Sequence, residues 1–140
     1  MARIRLEFPT PVCFQHQLSV RISDLNYGAH LGHDQLVSLV HEARAQWFRC
    51  AGHHELDIEG VGIVVAELAV NYQAEAFFED QINIELSVGE AGSKSVEIYY
   101  RLRRVQDDVV IAIAKTGVVF FDFQQRCAVP MPTAFRAMMA

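Results

Sequence analysis

Apolar residues recur along the chain with two different periods, and the switch between them divides the sequence. From Val12 to Ile22, the apolar Phe14, Leu18, Val20 and Ile22 are interleaved with His16, Ser19 and Arg21, which suits an extended strand. From Asp34 to about Ala51 the spacing turns helical. Leu36, Val37, Leu39, Val40, Ala43, Trp47, Phe48 and Ala51 form one broad stripe, with Gln35, Ser38, Glu42, Gln46 and Arg49 opposite. Asp34 is the expected N-cap and Gly52 the C-terminal stop. A helix of that length spans about 27 Å, and its stripe is too broad for a coiled-coil seam. It needs a sheet to cover it.

Beyond a polar loop from His53 to Gly60, the period becomes two. Gly62 to Tyr72 reads as a strand and Gln73 to Asp80 as a connection. Ile82, Ile84, Leu86 and Val88 alternate with Asn83, Glu85 and Ser87, the signature of a half-buried strand. Gly89 to Gly92 is the expected turn, after which Val96, Ile98, Tyr100 and Leu102 alternate with Glu97, Tyr99, Arg101 and Arg103. Gln106, Asp107 and Asp108 make a hairpin turn. Val109 to Phe121 is apolar on both faces, as an interior strand should be, and the Pro-containing tail ends in a loop or small helix near Phe135–Met139. The predicted order is strand, long helix and four strands in meander. That is an α+β domain over residues 1–140, with one long helix wrapped by a curved antiparallel five-stranded sheet.

Composition narrows the partners. A chain of 140 residues, 51% hydrophobic, forms one domain with a substantial core. The formal charge of −5 argues against nucleic acid, since the cluster Arg101, Arg103 and Arg104 is followed at once by Asp107 and Asp108. Cys13, Cys50 and Cys127 are too dispersed for a disulfide framework and fit free thiols. Cys50 lies near His53 and His54, but four ligands at zinc-site spacing are absent. The charged, proline-bearing N-terminus is no signal peptide, and no apolar run reaches the roughly 20 residues of a membrane span. A soluble cytoplasmic domain is expected.

The candidate chemistry sits between the first strand and the helix. Ser23 to Asp34 gathers Asp24, Asn26, His30, His33 and Asp34 with Gly28 and Gly32, the donors and acceptors that acyl or proton transfer requires. In an extended segment Asp24 and Asn26 would project to one side. The N–H groups opening the helix would polarise a carbonyl and stabilise an oxyanion.

This order of elements, together with Asp24-Leu25-Asn26, His30, Glu42-Ala43-Arg44, Val70-Asn71-Tyr72, Gly92-Ser93-Lys94-Ser95 and the Val129-Pro130-Met131-Pro132 tail, resembles the hotdog fold. Within it, the chain is similar to the 4-hydroxybenzoyl-CoA thioesterase-like acyl-CoA thioesterases. The resemblance implies hydrolysis of a small or medium acyl-CoA by activated water. It also implies an active site at a subunit interface, a homodimer that often pairs again into a homotetramer, and no metal or redox cofactor. On the family pattern Asp24, Asn26, His30 and Glu42 are the catalytic candidates; Tyr27, Gly28, His33, Asp34, Lys94 and Ser95 are the substrate-binding ones. Asn26 stands where the family places its second carboxylate, and an amide is no base. The base is then Asp24 or Glu42, with Asn26 positioning water and His30 assisting. Arg44, at the margin of the stripe, suits a structural ion pair.

Two rivals follow from the same residues. Asp24-Leu25-Asn26 followed by His30 approaches the Asp-x-Asn-Pro-x-His of hotdog enoyl-CoA hydratases, with Tyr27 in place of the proline and the histidine one residue late. Asn26 in place of the carboxylate also fits a non-catalytic acyl-CoA-binding module. Phe77, Phe78, Tyr72 and Tyr99 are the aromatic candidates for an acyl pocket.

Overall fold

The computed structural model describes residues 3–140. Strands β1 (Phe14–Ser19), β2 (Gly62–Tyr72), β3 (Gln81–Ala91), β4 (Ser95–Arg104), β5 (Val109–Asp122) and the two-residue β6 (Cys127–Ala128) form one antiparallel sheet. Its order is β1-β3-β4-β5-β2, with β6 paired to β5. Helix α1 (His33–Cys50) lies against one face, and α2 (Thr133–Met138) closes one end of the core. Leu36, Leu39, Val40, Ala43, Trp47 and Phe48 of α1 are buried with Ile82, Ile84, Leu86, Ile98, Leu102, Ala112, Ala114 and Phe120 of the sheet. The Phe135 ring of α2 meets Phe120 at 5.1 Å and Trp47 at 5.6 Å between centroids, edge to face. This is the expected hotdog arrangement, one long helix held in a curved sheet, with the two-residue β6 added to the five strands expected.

Four details differ from the sequence-based expectation. Only β3, β4 and β5 form a meander. The eight-residue connection after Tyr72 is too long for a tight hairpin, and it carries the chain to the far side of the sheet. β1 is shorter than Val12–Ile22, because Ile22–Asp24 folds into a 3-10 turn. β3 runs on to Ala91 through a bulge between Val88 and Ala91. Gly89 is there for close approach, since a Cβ would stand 2.5 Å from the Tyr99 ring. Finally α1 starts at His33 with Gly32 as N-cap, so Asp34 sits in the first turn without a capping bond, where its charge complements the helix dipole.

The Arg44 ion pair is real, with the arginine buried and its Glu55 partner half-buried. Its guanidinium donates to Glu55, to which His41 also bonds, and to the Tyr100 hydroxyl, which bonds Thr116 at 2.7 Å. The network pins α1 and the 53–60 loop to the centre of β4 and β5.

Candidate active site

Between Leu25 and Leu31, which bridge to each other, the chain makes a tight loop. Asn26 organises it: its N–H donates to the His30 carbonyl, its carbonyl accepts from Ala29 N–H, and its Oδ1 accepts from Gly28 N–H at 2.9 Å. The turn's left-handed residue is Ala29, at φ 63°, rather than a glycine. Gly28 serves closeness instead. A Cβ there would lie 3.2 Å from both Asn26 Oδ1 and His30 Nε2, so these two groups converge on one small volume. Gly32 likewise leaves room for Asp34, whose Oδ1 would sit 2.7 Å from a Cβ.

Two backbone bonds fix the loop to the rest of the fold. Gly32 N–H donates to the Asp24 carbonyl, and Leu31 N–H donates to Ala76 in the β2–β3 connection at 2.8 Å. The second bond brings in residues distant in sequence. Asn26, His30, His33 and Leu36 line a hollow of about 260 Å3 with Tyr72, Ala74, Glu75 and Ile111. His30 Nε2 is 3.9 Å from Glu75 Oε1, and its ring stands edge-on to Phe77. Tyr72 donates to the His33 carbonyl at 2.9 Å, laying its ring along the helix start. Burial, and then the nearby Asp34 carboxylate, push the Tyr72 hydroxyl pKa up, so it stays a donor. His33, Asp34 and Gln35 lie in the first turn of α1, where backbone N–H groups have no intrahelical acceptor. The hollow therefore joins an amide, an imidazole, a carboxylate and a positive helix end.

The other site candidates fall elsewhere. Asp24 is fully buried, and its carboxylate accepts from Arg21 N–H at 2.8 Å and from the Arg21 guanidinium. The 3-10 turn bends it back, so it does not project beside Asn26 as an extended segment would require. Glu42 faces a separate groove between α1 and β1, lined also by His16, Arg21 and Leu39, where it accepts from Gln46. Tyr27 is fully exposed outside the hollow. Lys94 occupies the β3–β4 turn, and Ser95 lines a hollow with Glu67, Glu90 and Glu97. Ser95 pairs with Val119 whereas Tyr72 pairs with Ala112, which puts them about 23 Å apart along β5 at 3.3 Å per residue. Tyr99 packs beside Gly89, away from the hollow. Glu75 stands in what reads as a plain connection; only the Leu31–Ala76 bond brings it beside His30.

The sequence profile described as the thioesterase-like superfamily matches residues 20–139, nearly the whole chain. The chain belongs to that superfamily. Its chemistry is accordingly that of a thioester hydrolase. Similar solved structures agree on the fold. The PA2801 protein of Pseudomonas aeruginosa, a putative thioesterase, superposes with a TM-score of 0.85 at 22% identity, covering 93% of this chain and 100% of its own. Slr0204 of Synechocystis, a 1,4-dihydroxy-2-naphthoyl-CoA thioesterase, gives 0.82 at 17% identity over 90% and 94%. YbaW of Escherichia coli, a probable thioesterase, gives 0.72 at 20% over 89% and 95%. No curated protein matches the sequence. No helix among the described residues of this thioesterase is long and apolar enough to cross a membrane.

Asp24 supplies a pH test. Burial raises its carboxyl pKa, but bonds and charge from Arg21 outweigh that and hold it below the usual carboxylate range. A depressed folded value means stability present above the unfolded pKa of about 4 and lost as pH falls through the folded value. Asp24→Asn is expected to lower the Tm at neutral pH and to flatten its decline below about pH 4. Thermal melts across pH check this; identical profiles for both proteins would contradict it.

Proposed function

We propose that this thioesterase hydrolyses acyl-CoA esters in the hollow between the 26–33 loop and the end of β2. The observation that carries the reading is the convergence of Asn26, His30 and Glu75 beside the N–H groups that open α1. The thioester carbonyl lies against that helix end. The Asn26 amide, whose NH2 has no acceptor among the described residues, holds the attacking water. His30 Nε2 takes the water's proton as oxygen bonds to the carbonyl carbon. The imidazolium so formed gains an ion pair with Glu75, which stabilises the charge developing in the transition state. As the carbon–sulfur bond breaks, His30 returns the proton to the leaving sulfur. The products are a carboxylic acid and the CoA thiol. Asp24 and Glu42 then shape the loop and a neighbouring groove rather than act as the base.

A homodimer formed through β2 completes the site. β2 is an eleven-residue edge strand paired, among the described residues, only with β5, and Val65 and Leu68 are 47% and 46% exposed on it. Long apolar edges of this kind pair with another chain. Antiparallel pairing of two β2 edges about a two-fold axis carries the Ser95 end of one subunit toward the Tyr72 end of the other. Leu68→Lys is expected to yield a monomer by sedimentation with activity lost in parallel; a fully active monomer would refute the interface. Phe77, exposed and edge-on to His30, favours an aromatic acyl group, in line with the 1,4-dihydroxy-2-naphthoyl-CoA named for Slr0204.

The test is a panel of aromatic and aliphatic acyl-CoAs read in two channels, thiol release and enoyl absorbance. Thiol release is the expected result. Loss of crotonyl-CoA absorbance without thiol would select hydration, and tight binding without either would select a binding module.

A further inference from the structure

The N-terminal segment is built into the domain rather than trailing from it. Residues 3–13 run across the sheet face opposite α1 and are pinned at four points. The Asn71 side chain brackets Arg5, its Oδ1 accepting from Leu6 N–H at 2.7 Å and its amide donating to the Ile4 carbonyl at 2.6 Å. Phe8 lies under the Arg101 guanidinium, 4.2 Å from ring centroid to charge centre. Pro11 accepts from the Ser87 hydroxyl, and Cys13 N–H joins the Leu86 carbonyl. The strap thereby holds Arg3 and Arg5 at the C-terminal end of β2. With Ile4, Val70, Asn71, Tyr72 and Gln73 they line a hollow of about 620 Å3.

Position singles these two out from the other Lys and Arg that form no ion pair among the described residues. The twelve Lys and Arg of this acidic chain include six that pair with carboxylates within 4 Å: Arg21, Arg44, Arg101, Arg103, Arg104 and Lys115. Arg3 and Arg5 are exposed and form no ion pair among the described residues. Tyr72 lines both their hollow and the candidate active-site hollow, so the two adjoin at that residue. Two unpaired guanidinium groups on a pinned backbone suit bidentate contact with phosphate oxygens.

We propose that Arg3 and Arg5 form the subsite for the phosphate groups of the coenzyme A nucleotide, with the pantetheine arm passing Tyr72 into the catalytic hollow. This rests on the thioesterase reading and locates the nucleotide at the strap, not at Lys94 and Ser95, whose surroundings carry Glu67, Glu90 and Glu97. Glu67 and Glu97 are paired with Lys115, and Glu90, with no such partner among the described residues, would repel a phosphate there.

The experiment compares wild type with the Arg3→Gln/Arg5→Gln double variant on one acyl group carried by coenzyme A, by phosphate-free pantetheine and by acyl carrier protein. The expected result is a KM for acyl-CoA raised by about tenfold or more, with kcat held, because charge-assisted contacts made in ground and transition state alike are lost. On the pantetheine ester the variant equals wild type. An unchanged KM for acyl-CoA, or the same loss on pantetheine, overturns the proposal. A loss confined to the carrier-protein ester also overturns it, assigning the arginines to an acidic protein surface. Calorimetry with adenosine 3′,5′-bisphosphate runs beside the kinetics. If wild type turned over no ester the catalytic reading would fall, while weaker nucleotide binding by the variant would still uphold the subsite and equal binding would overturn it.

Discussion

His30→Ala is expected to lower kcat for acyl-CoA hydrolysis by about 10²- to 10⁴-fold, the range for removing a positioned acid–base group. The loss should fall on kcat far more than on KM, because the imidazole works on the proton in flight rather than on the bound acyl chain. Folding should be spared: the ring is one-third exposed, and the loop is held by backbone and Asn26 bonds that do not use the imidazole. Glu75→Gln should reproduce part of the effect, since the amide keeps the shape but cannot form the ion pair with an imidazolium. Stopped-flow or steady-state thiol release measures both. A His30→Ala enzyme within threefold of wild type would remove His30 from the mechanism and return the base to Asp24 or Glu42.

Arg44→Met should produce the largest loss of stability, about 3–5 kcal/mol, as expected when one member of a buried ion pair is removed. The Arg44 side chain is only 8% exposed, and the Glu55 carboxylate it meets is 17% exposed. The substitution leaves Glu55 without its main donor and takes the guanidinium from the Tyr100 hydroxyl. At this chain length the Tm should fall by about 10 °C or more. Glu55→Gln combined with Arg44→Met should recover part of the loss, because the stranded charge is gone. Thermal and urea denaturation give the values. A cost under about 1 kcal/mol would mean the network is solvated rather than structural.

How much of this was legible in sequence depends on the range of the interactions. The α1 stripe and the alternating residues of β3 and β4 declare themselves because burial on one face imposes a local period. The Glu42-Ala43-Arg44 segment likewise showed that Arg44 sits at the edge of the buried stripe, where a partner is obligatory. The position of β2 across the sheet was not legible, since pairing with β5 rather than β3 is decided by the crossover of residues 73–80. The site shows the same limit. Asn26, His30 and His33 are close in sequence and share the hollow, yet Glu75 joins them through a single long-range backbone bond. A carboxylate two residues from Asn26 shares its face only in an extended chain, and the chain at Asp24 is a 3-10 turn. Arg21, three residues earlier, claims it for the turn.

In the proposed mechanism the thioester is held between the helix start, His30 and Glu75. The most direct measurement is a crystal structure with a ketone analogue of the substrate, in which a methylene separates sulfur from carbonyl and hydrolysis is blocked. The expected result places the carbonyl oxygen within hydrogen-bond distance of a free N–H in the first turn of α1, with His30 Nε2 and the Asn26 amide flanking the carbonyl carbon. A carbonyl lodged instead in the groove beside Glu42 would contradict it.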